Sequence, residues 1–208
     1  AAPDIQRLRL SSIDVAEVQS KISSMAWGNT VMGERRLPDV VQIVVREHVP
    51  LALFLGERQQ YILTRDGDWI SVASSPSRGT LSWRDVESII GGLLVVSGTL
   101  SDDGSVRDRN PALAQKLTRF EDAFVTSGLD KSLAVEGLAL DGGGGLSATM
   151  RMVGRRSPNA DAISVALGSP PFKAKLQRLD RVLQRFRRQP SLLREVHLDN
   201  RRHPRRVT

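Results

Sequence analysis

The sequence contains no cysteine. Disulfide scaffolds, thiolate zinc sites and cysteine nucleophiles are therefore excluded, while the compartment stays open, because cysteine-free chains serve in reducing and oxidising spaces alike. Aromatic residues make up only 4% of the chain, with a single tyrosine, so nothing suggests a haem or flavin pocket and no cofactor is expected. Long apolar runs are missing too. The longest, Ile89-Ile90-Gly91-Gly92-Leu93-Leu94-Val95-Val96, falls far short of the roughly 20 residues that span a bilayer, so this chain is not expected to cross a membrane. It starts Ala1-Ala2-Pro3-Asp4, with neither the basic nor the apolar region of a signal peptide, a start that fits the removal of an upstream segment.

What is present suits a folded protein: 208 residues, 25% charged and 40% hydrophobic, enough for one ordinary domain or two small ones. The net charge of +7 is unevenly placed. Residues 173–208 hold 12 Lys and Arg against 3 Asp and Glu, a balance of +9, leaving −2 for the rest. Such a tail attracts phosphates, anionic lipid or an acidic partner, and salt weakens that attraction.

Hydrophobic periodicity organises the chain. Asp14 is a good N-cap, and Val15, Val18, Ile22 and Met25 follow at helical spacing, with Gly28 suited to the helix end. Residues 40–46 form a β-branched run that reads as a strand, stopped by Pro50. Residues 61–64 and 69–72, joined through Asp66-Gly67, predict a hairpin. Residues 74–80 and 101–110 are loop-like in composition and mark candidate domain junctions. Pro111 at a first helical position, with Leu113, Leu117, Phe120 and Phe124 on one stripe, predicts a helix. Strands follow at 134–140, 146–153 and 162–167, then a helix over 172–188 with Leu176, Leu179, Val182, Leu183 and Phe186 on one face, and a last strand over 195–199. The order predicts an α+β fold in two parts, residues 1–73 and 74–208.

Candidates for chemistry are few. The run Gly142-Gly143-Gly144-Gly145 lacks the following helix and the Lys-Ser/Thr of a phosphate-binding loop, and reads as a hairpin tip. His48, His197 and His203 are the only histidines. A metal site needs at least three placed ligands, and structural roles are expected for all three; no metal site is expected. Asp102-Asp103 and Glu121-Asp122 are adjacent pairs without the opposed geometry of acid/base carboxylates. No serine sits in Gly-x-Ser-x-Gly. Catalysis is not expected, and the plausible work is binding. The basic C-terminal region offers phosphate contacts, but Phe172 and Phe186 fall on the core stripe, leaving no stacking platform for bases. A strand near the chain end, residues 195–200, has another use: an exposed edge can take up a partner's strand.

Several segments together resemble the POTRA domain of the FtsQ/DivIB bacterial cell-division proteins. Asp14-Val15, Val18, Ile22 and Met25-Ala26-Trp27, then Val31, Glu34-Arg35-Arg36-Leu37-Pro38-Asp39, the strand Val40-Val41-Gln42-Ile43-Val44-Val45-Arg46, and Glu47-His48-Val49-Pro50-Leu51-Ala52 follow that family's helix, strand, Arg-x-x-Pro-Asp turn, strand and Glu-x-x-Pro-x-Ala close. Asp66-Gly67 fits its short hairpin. Leu94-Val95-Val96-Ser97-Gly98 is similar to the Leu-Pro-x-Leu-x-Gly start of its second, β domain, with Val95 in place of the proline, and Leu198-Asp199-Asn200-Arg201-Arg202 to its closing Val-Asp-Leu-Arg-Tyr, matching at Asp199 and Arg201.

The resemblance implies a POTRA-like domain over 1–73 and a β domain over 74–208. It implies a single-pass protein of the bacterial inner membrane, at the division septum, this chain being the extracytoplasmic part and the membrane helix lying outside it. It further implies a non-enzymatic divisome scaffold that binds FtsB/FtsL-like proteins and helps control septal peptidoglycan synthesis. By position, the partner-binding residues are Val196, Leu198, Asp199, Asn200, Arg201 and Arg202. No nucleic-acid partner is expected under this resemblance; the alternative from the basic tail is a nucleic-acid- or ribosome-associated protein. Only Ile5 to Leu10 precedes the helix at Asp14, so the POTRA's first strand and helix are either trimmed away or naturally reduced.

Overall fold

Asp14 opens the first helix as its side chain predicts. Its carboxylate accepts hydrogen bonds from the backbone N–H groups of Ala16 and Glu17, and α1 runs Val15–Ser23. The computed structural model describes residues 14–25, 27–36, 40–56, 59–73, 80–97, 109–154, 162–186 and 193–199. Gly28, expected to end the helix, instead begins strand β1 (Gly28–Arg36), which pairs antiparallel with β2 (Val40–Glu47). The helix lies close on this pair, because a side chain at Gly33 would collide with Val15. Pro50 does not stop a strand but starts one, β3 (Pro50–Leu55). The first residue of a strand is where a missing N–H is best tolerated.

The hairpin β4 (Gln60–Thr64) and β5 (Trp69–Ala73) turns through Asp66-Gly67 as predicted. Gly67 has a φ of 91°, and a Cβ there would meet the backbone of Asn110 and Pro111 within 2.7 Å, so conformation and space both demand glycine. Next come β6 (Leu81–Ser82), α2 (Trp83–Ile89) and β7 (Leu94–Ser97).

The short helix α2 was not expected, although its start signal, Ser82-x-x-Asp85, stands in the sequence. The Ser82 hydroxyl accepts from the Asp85 N–H at 3.2 Å while the Asp85 carboxylate accepts from the Ser82 N–H at 3.0 Å, a reciprocal cap. Hydrogen bonds from the Ser82 hydroxyl and then from its backbone hold the Asp85 carboxyl below its ordinary value. A depressed carboxylate contributes stability that is present above its unfolded-state pKa and lost as pH falls through the folded one. Ser82→Ala is expected to destabilise the protein at neutral pH, as loss of a helix N-cap does, and the difference from the parent should shrink in acid. Urea unfolding at pH 7 and near pH 3 checks both.

The remaining elements are α3 (Pro111–Thr126), β8 (Leu133–Leu140), β9 (Leu146–Met152), β10 (Ala162–Gly168), α4 (Lys173–Arg185) and β11 (Glu195–His197). The four-glycine run closes the β8–β9 hairpin, with Asp141 N–H donating to Gly145 O at 3.0 Å. Two sheets result: the pair β1-β2, and nine strands in the order β11-β10-β9-β8-β7-β3-β4-β5-β6. The larger sheet is mixed, with antiparallel hairpins at β3-β4-β5 and β8-β9-β10 and parallel joins at β3-β7, β7-β8, β10-β11 and β5-β6. This is the α+β architecture the sequence predicted.

The expected division at 73/74 runs through the larger sheet. β3, on one side of it, hydrogen-bonds to β7 on the other, pairing Ala52 with Leu94 and Phe54 with Val96. The break between sheets falls at residues 48–49, between β2 and β3.

Both faces of β3 are buried. Ala52 and Phe54 join a core with Leu117 and Phe120 of α3 and Leu176 and Leu179 of α4, whereas Leu53 joins Ile62, Ile70, Leu81 and Val86 on the α2 side. Among the described residues, the β8–β11 half is covered on one face only: Leu146, Ala148 and Met150 are buried while Thr149 is exposed. That alternation is the signature of a sheet with helices on one side.

Candidate functional site

The larger sheet ends at β11, which has β10 on one side and no strand on the other among the described residues. Its parallel ladder sets which backbone groups are engaged. Ser164 N–H donates to Arg194 O and Leu198 N–H to Ala166 O, both at 2.8 Å, around the pairing of Val165 with Val196. Because bonding groups alternate along a strand, Arg194, Val196 and Leu198 bond toward β10, and the N–H and C=O groups of Glu195 and His197 turn outward.

The residues expected to form the binding edge separate accordingly. Val196 and Leu198 are 1% and 2% exposed, with side chains in the helix-covered core. They anchor the edge and do not present a surface, since alternation sends both to the covered face. Asp199 is exposed and packs against Gly168, whose φ of 63° and lack of Cβ leave room for it. Asn200, Arg201 and Arg202 lie outside the described residues. Glu195 and His197, which lie in the expected edge strand but not among the six expected binding residues, carry the outward backbone groups. Their side chains meet on the open sheet face, His197 Nε2 lying 3.0 Å from Glu195 Oε1. The alternation puts the side chains of Glu195 and His197 on the face opposite Val196 and Leu198, but only the ladder with β10 shows which backbone groups turn outward.

Next to the end of β11 is a polar cleft of about 260 Å³ lined by Asp141, Gly168, Ser169, Lys175 and Asp199. The Lys175 ammonium donates to the carbonyls of Leu167 at 2.6 Å and Ser169 at 2.5 Å, and Asp141 accepts from the Gly143 and Gly145 N–H groups at 2.9 and 2.6 Å. Polar side chains that are already engaged make this a shaped recess beside an open strand edge. On α4, Lys173, Arg181 and Arg185 are exposed, so the predicted basic face is present. Phe172 is buried edge-on against Phe120 at 5.9 Å and offers nothing for a base to stack on.

The other candidates take structural places. Glu121 pairs with Arg65 at 2.7 Å, tying α3 to the end of β4, while its neighbour Asp122 is exposed. Asp102, Asp103 and His203 lie outside the described residues.

No protein-family model matches the chain. It is 29% identical over 197 residues to the cell division protein FtsQ of Myxococcus fulvus. The likeness takes in 94% of this chain and 61% of that FtsQ, so the chain spans about three-fifths of the relative's length. Among the described residues no helix is long and apolar enough to cross a membrane.

Proposed function

We propose that this chain is the partner-binding part of an FtsQ-like cell-division scaffold, and that the outer edge of β11 receives a strand from an FtsB/FtsL-like partner. The outward backbone groups of Glu195 and His197, on a terminal strand whose own side chains anchor it in the core, carry this reading. Main-chain pairing supplies affinity and the neighbouring side chains supply selectivity. The similarity to a protein named as a cell division protein supports the cellular context. The role is non-enzymatic: holding partners in place at the septum and thereby helping to control peptidoglycan synthesis. The protein is placed in the bacterial inner membrane through a single helix outside this chain, with the residues here on the extracytoplasmic side. We take the POTRA-like unit to end near residue 48, because β3 to β5 hydrogen-bond into the larger sheet.

Calorimetry with the soluble FtsB/FtsL-like ectodomain pair, at two salt concentrations and with duplex DNA as control, tests the reading. One-to-one binding to the pair is expected. His197→Pro should abolish it while leaving the melting temperature nearly unchanged, since proline is tolerated on an edge strand whose N–H faces outward. Charge reversal at Arg201 or Arg202 should weaken it through lost pairing with partner carboxylates. Full affinity in His197→Pro, or binding to DNA alone with a steep salt dependence, would sink the proposal.

A further inference from the structure

Far along the sheet from β11, the fold brings together three side chains that the sequence keeps apart. His48 lies in the link between β2 and β3, and Asp66 and Asp68 flank Gly67 in the β4–β5 turn. One ligand atom from each falls within 4.8 Å of the others. We propose that His48, Asp66 and Asp68 bind a divalent first-row transition-metal cation, such as Zn²⁺ or Mn²⁺, at the joint between the two sheets.

The buried nitrogen of His48 is the observation that points to a ligand. Its side chain is 14% exposed, and Nδ1 is fully buried with no hydrogen-bond partner. The nearest carboxylate oxygen, Asp68 Oδ2, is 3.7 Å away, beyond hydrogen-bond reach. An unmet polar atom in such a place is costly, and a cation between imidazole and carboxylate satisfies both. The main chain at His48 is anchored, its N–H donating to Trp27 O at 2.9 Å.

The surroundings orient the carboxylates. Asn29 on β1 donates from Nδ2 to Asp66 Oδ2 at 3.1 Å, leaving Oδ1 for a cation, in the manner of outer groups that steer metal ligands. Arg109 donates from Nε to the Asp66 carbonyl at 2.9 Å, and the same nitrogen lies 3.4 Å from Asp68 Oδ1. This exposed guanidinium lies against the cluster, and a cation competes with it. Ligands held at about 2.0–2.2 Å from one ion sit closer together than a 4.8 Å spread, so a small shift of the exposed Asp66 side chain completes the site. One imidazole with two carboxylates suits metals of intermediate to hard character, water filling the remaining positions. Bound there, the cation would join β1, the β2–β3 link and the β4–β5 turn.

Titration of the metal-free 208-residue chain with zinc chloride and, separately, manganese chloride tests the site. Saturable one-to-one binding is expected, with an upward shift in melting temperature. His48→Ala and Asp66→Asn should each weaken it by about tenfold or more, and Arg109→Gln should tighten it. Asp66 is exposed, so its variant keeps the test valid should His48→Ala fold poorly. His197→Ala, which removes the histidine beside Glu195, should bind as the parent does. Absence of saturable binding, equal affinity in Asp66→Asn, or loss in His197→Ala in place of His48→Ala would overturn the proposal. None of these results depends on the β11 edge.

Discussion

Phe120→Ala is expected to lower the free energy of unfolding by about 3–5 kcal/mol. The ring is fully buried at the middle of α3, with Phe124 of the same helix 6.0 Å away and Phe172, at the start of α4, edge-on at 5.9 Å. It therefore occupies the seam where both helices meet the sheet. Truncation removes apolar contact and opens a cavity whose walls belong to different elements, so no single side-chain rotation refills it. Urea unfolding followed by circular dichroism measures the loss. A cost below about 1 kcal/mol, nearer that of a conservative core swap, would mean that the ring is not wedged between the helices.

Leu198→Pro is expected to cost about 3 kcal/mol or more and to abolish partner binding as well. Leu198 does two jobs at the end of β11: its N–H donates to Ala166 O at 2.8 Å, and its side chain is buried in the helix-covered core. Proline cannot donate and fills less of the pocket, so β11 loses both its last ladder bond and its anchor. The contrast with His197→Pro separates the roles of neighbouring residues. One substitution should unfasten the strand and lower stability, and the other should block only its outer edge. Chemical denaturation and calorimetry on the two variants read this directly; parent-like stability in Leu198→Pro would show that β11 is not held by residue 198.

Much of the secondary structure was legible because its signals are local. The Asp14 cap, the stripe Leu113, Leu117, Phe120 and Phe124, the Asp66-Gly67 turn and the strands around the four-glycine hairpin each depend on residues a few positions apart. The helix α2 was also written locally, in Ser82 and Asp85, but its short apolar pattern did not stand out. Pro50 misled because its usual meaning, a stop, reverses at the first position of a strand. The edge proposed for binding was half legible: the place of the last strand in the chain was clear, while the phase of its alternation put Glu195 and His197, not Val196 and Leu198, on the outside.

By itself the sequence determined the class of the protein: helices with one apolar face, strands that alternate, no cysteine chemistry, and a basic C-terminal region. The tertiary structure alone decided that β3 pairs with β7, so that the larger sheet begins at Pro50; that β11 ends that sheet among the described residues; and that His48 meets Asp66 and Asp68. The reason is physical. Periodicity and capping act over one or two turns of chain, whereas strand order and side-chain clusters follow from which distant apolar faces bury best against each other, a choice that no local window contains.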